Sequence, residues 1–105
     1  MALTRSFKDT VQKRASRDPE FRVGLLREAI EALLRDELEV GKILLRDYIN
    51  ATVGFEDLAE ATNKSPKSLM RMLSAEGNPR ADNLFSVIAH LQKNEGIKLG
   101  VQARS

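Results

Sequence analysis

The chain contains no cysteine and no tryptophan, and its aromatics are limited to four Phe and one Tyr. Without cysteine it can build neither a disulfide framework nor a thiolate metal site, which points to an intracellular setting. With so few aromatics the apolar mass falls to Leu, Ala, Ile and Val, a mix suited to interlocking aliphatic helices. No stretch approaches the ~18 continuous apolar residues of a membrane span. The opening segment MALTRSFKDTV lacks the apolar core of a signal peptide, so a cytoplasmic protein is expected. Neither G-x-x-x-x-G-K-[ST] nor G-x-G-x-x-G occurs, and G-x-S-x-G is missing as well. The single histidine, His90, stands between Ala89 and Leu91 with no carboxylate at metal spacing, and is read as structural or surface. No enzyme, no metal and no cofactor is therefore expected.

What is present is 105 residues, 42% apolar and 30% charged, enough for one domain with one core. The net charge of +2 is unevenly placed. Arg5, Lys8, Lys13, Arg14 and Arg17 outnumber Asp9 and Asp18 at the start, whereas residues 19–62 are strongly acidic. In residues 63–80 the sign reverses, with Lys64, Lys67, Arg71 and Arg80 against Glu76 alone. A basic island on an acidic chain is what a phosphate-binding surface produces, and chance clustering produces it too.

In chain order, Thr4 opens a helical pattern with Phe7, Val11 and Ala15 on one face and Thr4 or Ser6 as cap. Its basic outer face serves either DNA, an acidic partner or plain solvation. Asp18-Pro19 predicts the next helix start: Asp caps, and Pro gives up only an N–H that has no partner there. Phe21, Leu25, Leu26, Ala29, Ile30, Leu33 and Leu34 form its apolar stripe, Gly24 allows a close helix contact, and Arg27 can pair with Glu31. Asp36 and Glu39 match a capping box, so another helix is expected to start there and to run to about Thr52 through Leu38, Ile43, Leu44, Leu45, Tyr48 and Ile49. Gly41 is a second small contact point in it. The alternative is one long kinked helix from Pro19 to Thr52.

Gly54 ends that helix, and Phe55–Thr62 forms the next. Asn63 suits a left-handed corner, and Ser65-Pro66 repeats the cap-then-proline signal. A short helix then runs to Leu73, followed by the turn-rich Ser74–Pro79 and a last helix from about Ala81 to Asn94 stopped by Gly96. Leu84, Phe85, Val87, Ile88 and Leu91 are its apolar residues. The tail Ile97–Gln102 alternates apolar and polar, as an edge strand or a frayed end would.

Gly54–Leu73 thus reads as two short helices about a polar corner, a helix-turn-helix of the kind that lays its second helix in the DNA major groove. Leu58, Ala59, Leu69 and Met72 lock the pair. Lys67 and Arg71 are four apart and share a face; both can reach guanine O6 and N7. Lys64, Ser65, Ser68 and Arg80 suit phosphate oxygens, as do the free N–H groups at the second helix's start, and Pro66 can touch a thymine methyl.

Residues Leu38 to about Gln92 resemble the five-helix domain of the lambda-repressor and Cro-like (Xre-type) regulators, with Leu58-Ala59 matching the usual Leu-Ala of the first helix of the pair. The Asp18-Pro19-Glu20 start, the LAEATNKSPKSLMRMLS run, the Gly77-Asn78-Pro79 turn and the apolar tail after Gly96 look most like the addiction-module antidote proteins, the small antitoxins encoded beside a toxin. That resemblance implies base contact by Lys67 and Arg71 with Pro66 nearby, and backbone contact by Phe55, Lys64, Ser65 and Ser68. Two positions depart from the pattern: Asn63 replaces the usual Gly, and Phe55 stands where many members have Gln, leaving it either at the DNA or in the core.

The expectation is an all-α protein: an N-terminal helical extension (1–36), a Cro-like DNA-binding domain (37–96) and a tail (97–105) that forms a short strand or frays. The expected function is sequence-specific binding of a palindromic duplex operator by a homodimer, implied by the resemblance to be an autorepressor that also binds a toxin. The alternatives are a toxin-neutralising interaction module with little DNA binding and a stand-alone regulator.

Overall fold

A computed structural model describes residues 2–105, with side chains described from Thr10 onward. Among the described residues six helices follow one another: α1 (Ala2–Arg17), α2 (Pro19–Leu34), α3 (Leu38–Ala51), α4 (Phe55–Thr62), α5 (Pro66–Met72) and α6 (Ala81–Glu95). No strand occurs among the described residues, so the tail is not an edge strand. Instead Ile97 and Leu99 pack against the core, and Leu99 N donates to Gln92 Oε1 at 2.7 Å. Among the described residues no helix is long and apolar enough to cross a membrane.

The helix boundaries follow local chemistry. Asp18 caps α2, its Oδ1 accepting from Phe21 N at 3.2 Å, and Pro19 takes the first helical position. Two helices, not one kinked helix, span 19–51, and Asp36 separates them by a device other than a capping box. Its φ is +64°, Glu37 N donates to Ala32 O at 2.8 Å and Asp36 N to Leu33 O at 3.2 Å. That is the left-handed closure of α2, which satisfies its last carbonyls. Glu37 holds the cap position of α3 without a side-chain bond. Likewise α1 begins at Ala2, so Thr4 and Ser6 are positions within the helix, and their side chains lie outside the described ones. Phe7 lies outside the described side chains.

One contiguous core draws on all six helices, from Ala15 through Leu25, Leu26, Ala29, Leu45, Tyr48 and Ile49 to Leu58, Leu69, Val87 and Leu91. The radius of gyration, 13.4 Å, is that of a packed chain of this length, so α1 and α2 lie on α3 and do not project. Gly41 is where α2 and α3 approach: a Cβ there would sit 2.6 Å from Leu33 Cδ2 and 3.3 Å from Ala29 O. Gly24 has no such neighbour, only Arg27 at 3.8 Å, and no helix crossing needs it. Glu31 pairs with Arg104 at 3.5 Å and not with Arg27. Leu34, Ile43 and Phe85 stay exposed although they are apolar.

Four elements are also joined by a largely buried polar group. Arg22 Nε donates to both oxygens of Glu95 at 2.9 Å, and Arg22 Nη1 donates to Ala15 O at 3.2 Å. Tyr48 donates its hydroxyl to the same Glu95. Burial first, and then the adjoining Glu95 carboxylate, push the tyrosine pKa well above its ordinary value. The group ties α1, α2 and α3 to the last turn of α6.

Candidate nucleic-acid interface

The α4–α5 pair is built around Asn63. At φ 57° and ψ 44° it sits in the left-handed region, and the chain turns there because Lys64 N reaches back to Ala59 O at 2.9 Å and Asn63 N to Glu60 O at 3.3 Å. Asn tolerates this conformation better than other side chains, which is why the corner works without Gly. Ser65 then caps α5, its Oγ accepting from Ser68 N at 3.1 Å, with Pro66 at the first helical position. These bonds use up donors at the start of α5: Ser68 N is taken and Pro66 has none.

The faces of the pair separate by polarity. Leu58, Ala59 and Leu69 are buried, as is Leu73 just past the end of α5, while Met72 is half-buried. Phe55 is 8% exposed and belongs to the core, which leaves its ring no surface for a phosphate. Outward, Ser65, Lys67, Ser68 and Arg71 are exposed, Pro66 is half-buried, and Met70 adds an exposed apolar side chain. The adjoining α4 exposes Glu56, Asp57 and Glu60, so the sign of charge changes from one helix to the next. Within this helix pair the basic side chains therefore fall at the corner and on α5.

Lys64 and Arg80 are 16 positions apart in sequence, yet one run of bonds connects them. Lys64 Nζ donates to Asn83 Oδ1 at 2.8 Å, Asn83 N donates to Asp82 Oδ1 at 2.8 Å, and Arg80 Nη2 meets Asp82 Oδ2 at 3.3 Å. The first turn of α6 is thus fastened to the corner of the helix pair. Arg80 is 79% exposed in its side chain, so its pairing with the exposed Asp82 is weak in water and leaves it free to exchange partners.

Sequence periodicity missed Asn83 and Asp82, whose partners are set by tertiary packing. It also passed over Lys42, which is fully buried on α3. One signal marked it: Leu38, Lys42, Leu45 and Ile49 share a helix face at three- and four-residue spacing, and a lysine interrupts that apolar run. His90 lies half-buried on α6 beside a shallow cleft with Val53, Leu58, Ala61, Lys93 and Asn94. No group of three metal-capable side chains occurs among the described residues.

No protein-family model, no curated protein and no solved structure matches this chain.

Proposed function

We propose that the protein is a sequence-specific duplex-DNA-binding regulator of the Cro-like helix-turn-helix class, acting as a cytoplasmic homodimer on a palindromic operator. The observation that carries this is the two-sided α5. Leu69 and Leu73 are anchored in the core, while Lys67, Ser68 and Arg71 face outward after a left-handed corner. In this proposal α5 enters the major groove, Lys67 and Arg71 take guanine acceptors, and Pro66 meets a thymine methyl. Lys64, Ser65, Ser68 and Arg80 hold the flanking phosphates. One such unit offers few contacts, so two half-sites about one helical turn apart are needed for a useful affinity. The resemblance to addiction-module antidotes extends the proposal: the chain represses its own operon and binds the toxin encoded there.

Selection of binding sites from random duplex DNA, followed by mobility shift of the enriched site, tests this. A palindrome with preference at the Arg71-read position supports it; recovery of unenriched random sequence refutes it.

A second proposal, a toxin-neutralising module that barely touches DNA, is favoured by one observation. Leu34 at the end of α2, and Val40 and Ile43 one turn apart on α3, are exposed apolar side chains away from α5 in sequence. Co-elution with the product of a neighbouring gene, without any DNA shift, would select it.

A further inference from the structure

Among the described residues, Lys42 and Asp47 are the buried charged side chains, and Lys42 is the cation of the two. Its side chain is 1% exposed, and burying an ammonium is costly unless every N–H is matched. Here they are: Nζ donates to Gly77 O at 2.7 Å and Ser74 O at 2.8 Å, and it pairs with Glu39 Oε2 at 3.0 Å. Three donors meet three close acceptors, with Ala75 O further off at 3.5 Å. Two of those acceptors are backbone carbonyls of the segment that follows α5, more than thirty residues downstream.

That segment lies directly on the end of α5. A Cβ built on Gly77 would collide with the Arg71 carbonyl oxygen and stand 2.6 Å from Met72 O, so the residue-77 backbone rests against the last turn of the helix. Ser74 closes the same turn, its Oγ donating to Arg71 O at 2.8 Å. Gly77 N donates to Ser74 O at 3.0 Å, which shapes the loop that Lys42 grips. Helix α5 itself is only seven residues long, and its apolar anchorage consists of buried Leu69 and Leu73 with half-buried Met72. A helix of two turns held on one side needs a further constraint to fix its direction.

We propose that Lys42 is a positioning residue for α5: its buried ammonium clamps the Ser74–Gly77 backbone to α3 and so sets the angle at which Lys67 and Arg71 are presented. The assignment rests on the DNA-binding role proposed above, but its structural half does not depend on DNA. Lys42→Met keeps the length and bulk of the side chain and removes the donors. Lys42→Arg keeps charge and donors and is expected to recover part of the function.

The test compares these full-length variants with the wild type in two measurements. In residue-resolved amide exchange, α5 and residues 74–77 should exchange about tenfold faster in Lys42→Met, with α2 and α3 unchanged. In binding, the preference for the selected site over random duplex should fall about tenfold at an unchanged salt slope, because Lys42 touches no phosphate. Wild-type exchange in α5 together with wild-type selectivity would overturn the proposal. So would a loss that is uniform over sequences with a flatter salt slope, which would make Lys42 a phosphate contact. If Lys42→Met does not fold, Lys42→Gln takes its place: it removes the charge and the reach of the ammonium while leaving a polar end, and the same outcomes apply. If the wild type selects no sequence, the DNA role fails, while exchange in α5 still decides the clamp.

Discussion

Two cations, half-buried Arg22 and buried Lys42, reach from the N-terminal helices into the C-terminal half of the chain, and they end on different chemistry. Arg22 on α2 meets a carboxylate, Glu95, which also accepts from Tyr48, so charge is balanced inside the protein. Lys42 on α3 meets backbone carbonyls, and its formal counter-charge, Glu39, is 64% exposed. In the first arrangement each partner's burial is tolerable only because the other is present. In the second, carbonyl dipoles are matched by N–H donors, and what is lost on removal is confined to the loop and the helix it supports. The Arg22 group joins helices whose mutual packing is the fold. The Lys42 group joins α3 to a loop whose close neighbour is α5. The contrast separates a group that holds the molecule together from one that aims part of it.

The largest expected effect lies at the balanced pair. Arg22→Ala leaves Glu95 buried without its cation and should cost about 3 kcal/mol, the scale of breaking a buried ion pair. In thermal unfolding this is a fall in Tm of more than about 10 °C for a domain of this size. Lys42→Met should cost less, about 1.5 kcal/mol, because Gly77 O is orphaned while Ser74 O keeps its bond from Gly77 N, and the loss should localise to α5 in exchange measurements. Equal, molecule-wide loosening in both variants would erase the distinction between them.

Tyr48→Phe removes one donor from Glu95 and should cost about 1 kcal/mol at neutral pH. The pH dependence has a defined sign. Because the folded state holds the tyrosine pKa above its ordinary value of 10.0, the contribution is fully present below that value and is lost as pH rises above it. The stability gap between wild type and Tyr48→Phe should therefore narrow in alkaline denaturation beyond pH ~10. The smallest effect is a control that touches neither cation. Asp36→Gly relieves a left-handed non-glycine residue between α2 and α3 and should raise stability by about 0.5 kcal/mol in chemical denaturation.

The parts of the fold that were legible in the sequence are those fixed by neighbouring residues. Asp18-Pro19, Asn63 and Ser65-Pro66 act within one helical turn of themselves, so their caps and corner can be deduced from residue type and order. Asp36 shows how the same logic goes astray. A carboxylate three residues before Glu39 satisfies a capping-box pattern, yet Asp also tolerates the left-handed region, and closing α2 takes precedence. Leu34, Ile43 and Phe85 show a second failure: periodicity marks a residue as apolar but not where its neighbours lie, and these three fall at the edges of their stripes. Of the candidate interface, the outward placement of Lys67, Ser68 and Arg71 follows from the 3.6-residue period. The fastening of Lys64 to Asn83 and the grip of Lys42 on Ser74 and Gly77 join residues 19 to 35 positions apart and arise only on packing.

The most direct measurement is binding-site selection with the wild type and Arg71→Ala in parallel. The wild type is expected to enrich a palindrome with half-sites about one helical turn apart, and Arg71→Ala to relax preference at one position in each half-site, at a cost of roughly 1–3 kcal/mol per contact. An Arg71→Ala protein that folds and selects the same sequence with the same affinity would contradict the account.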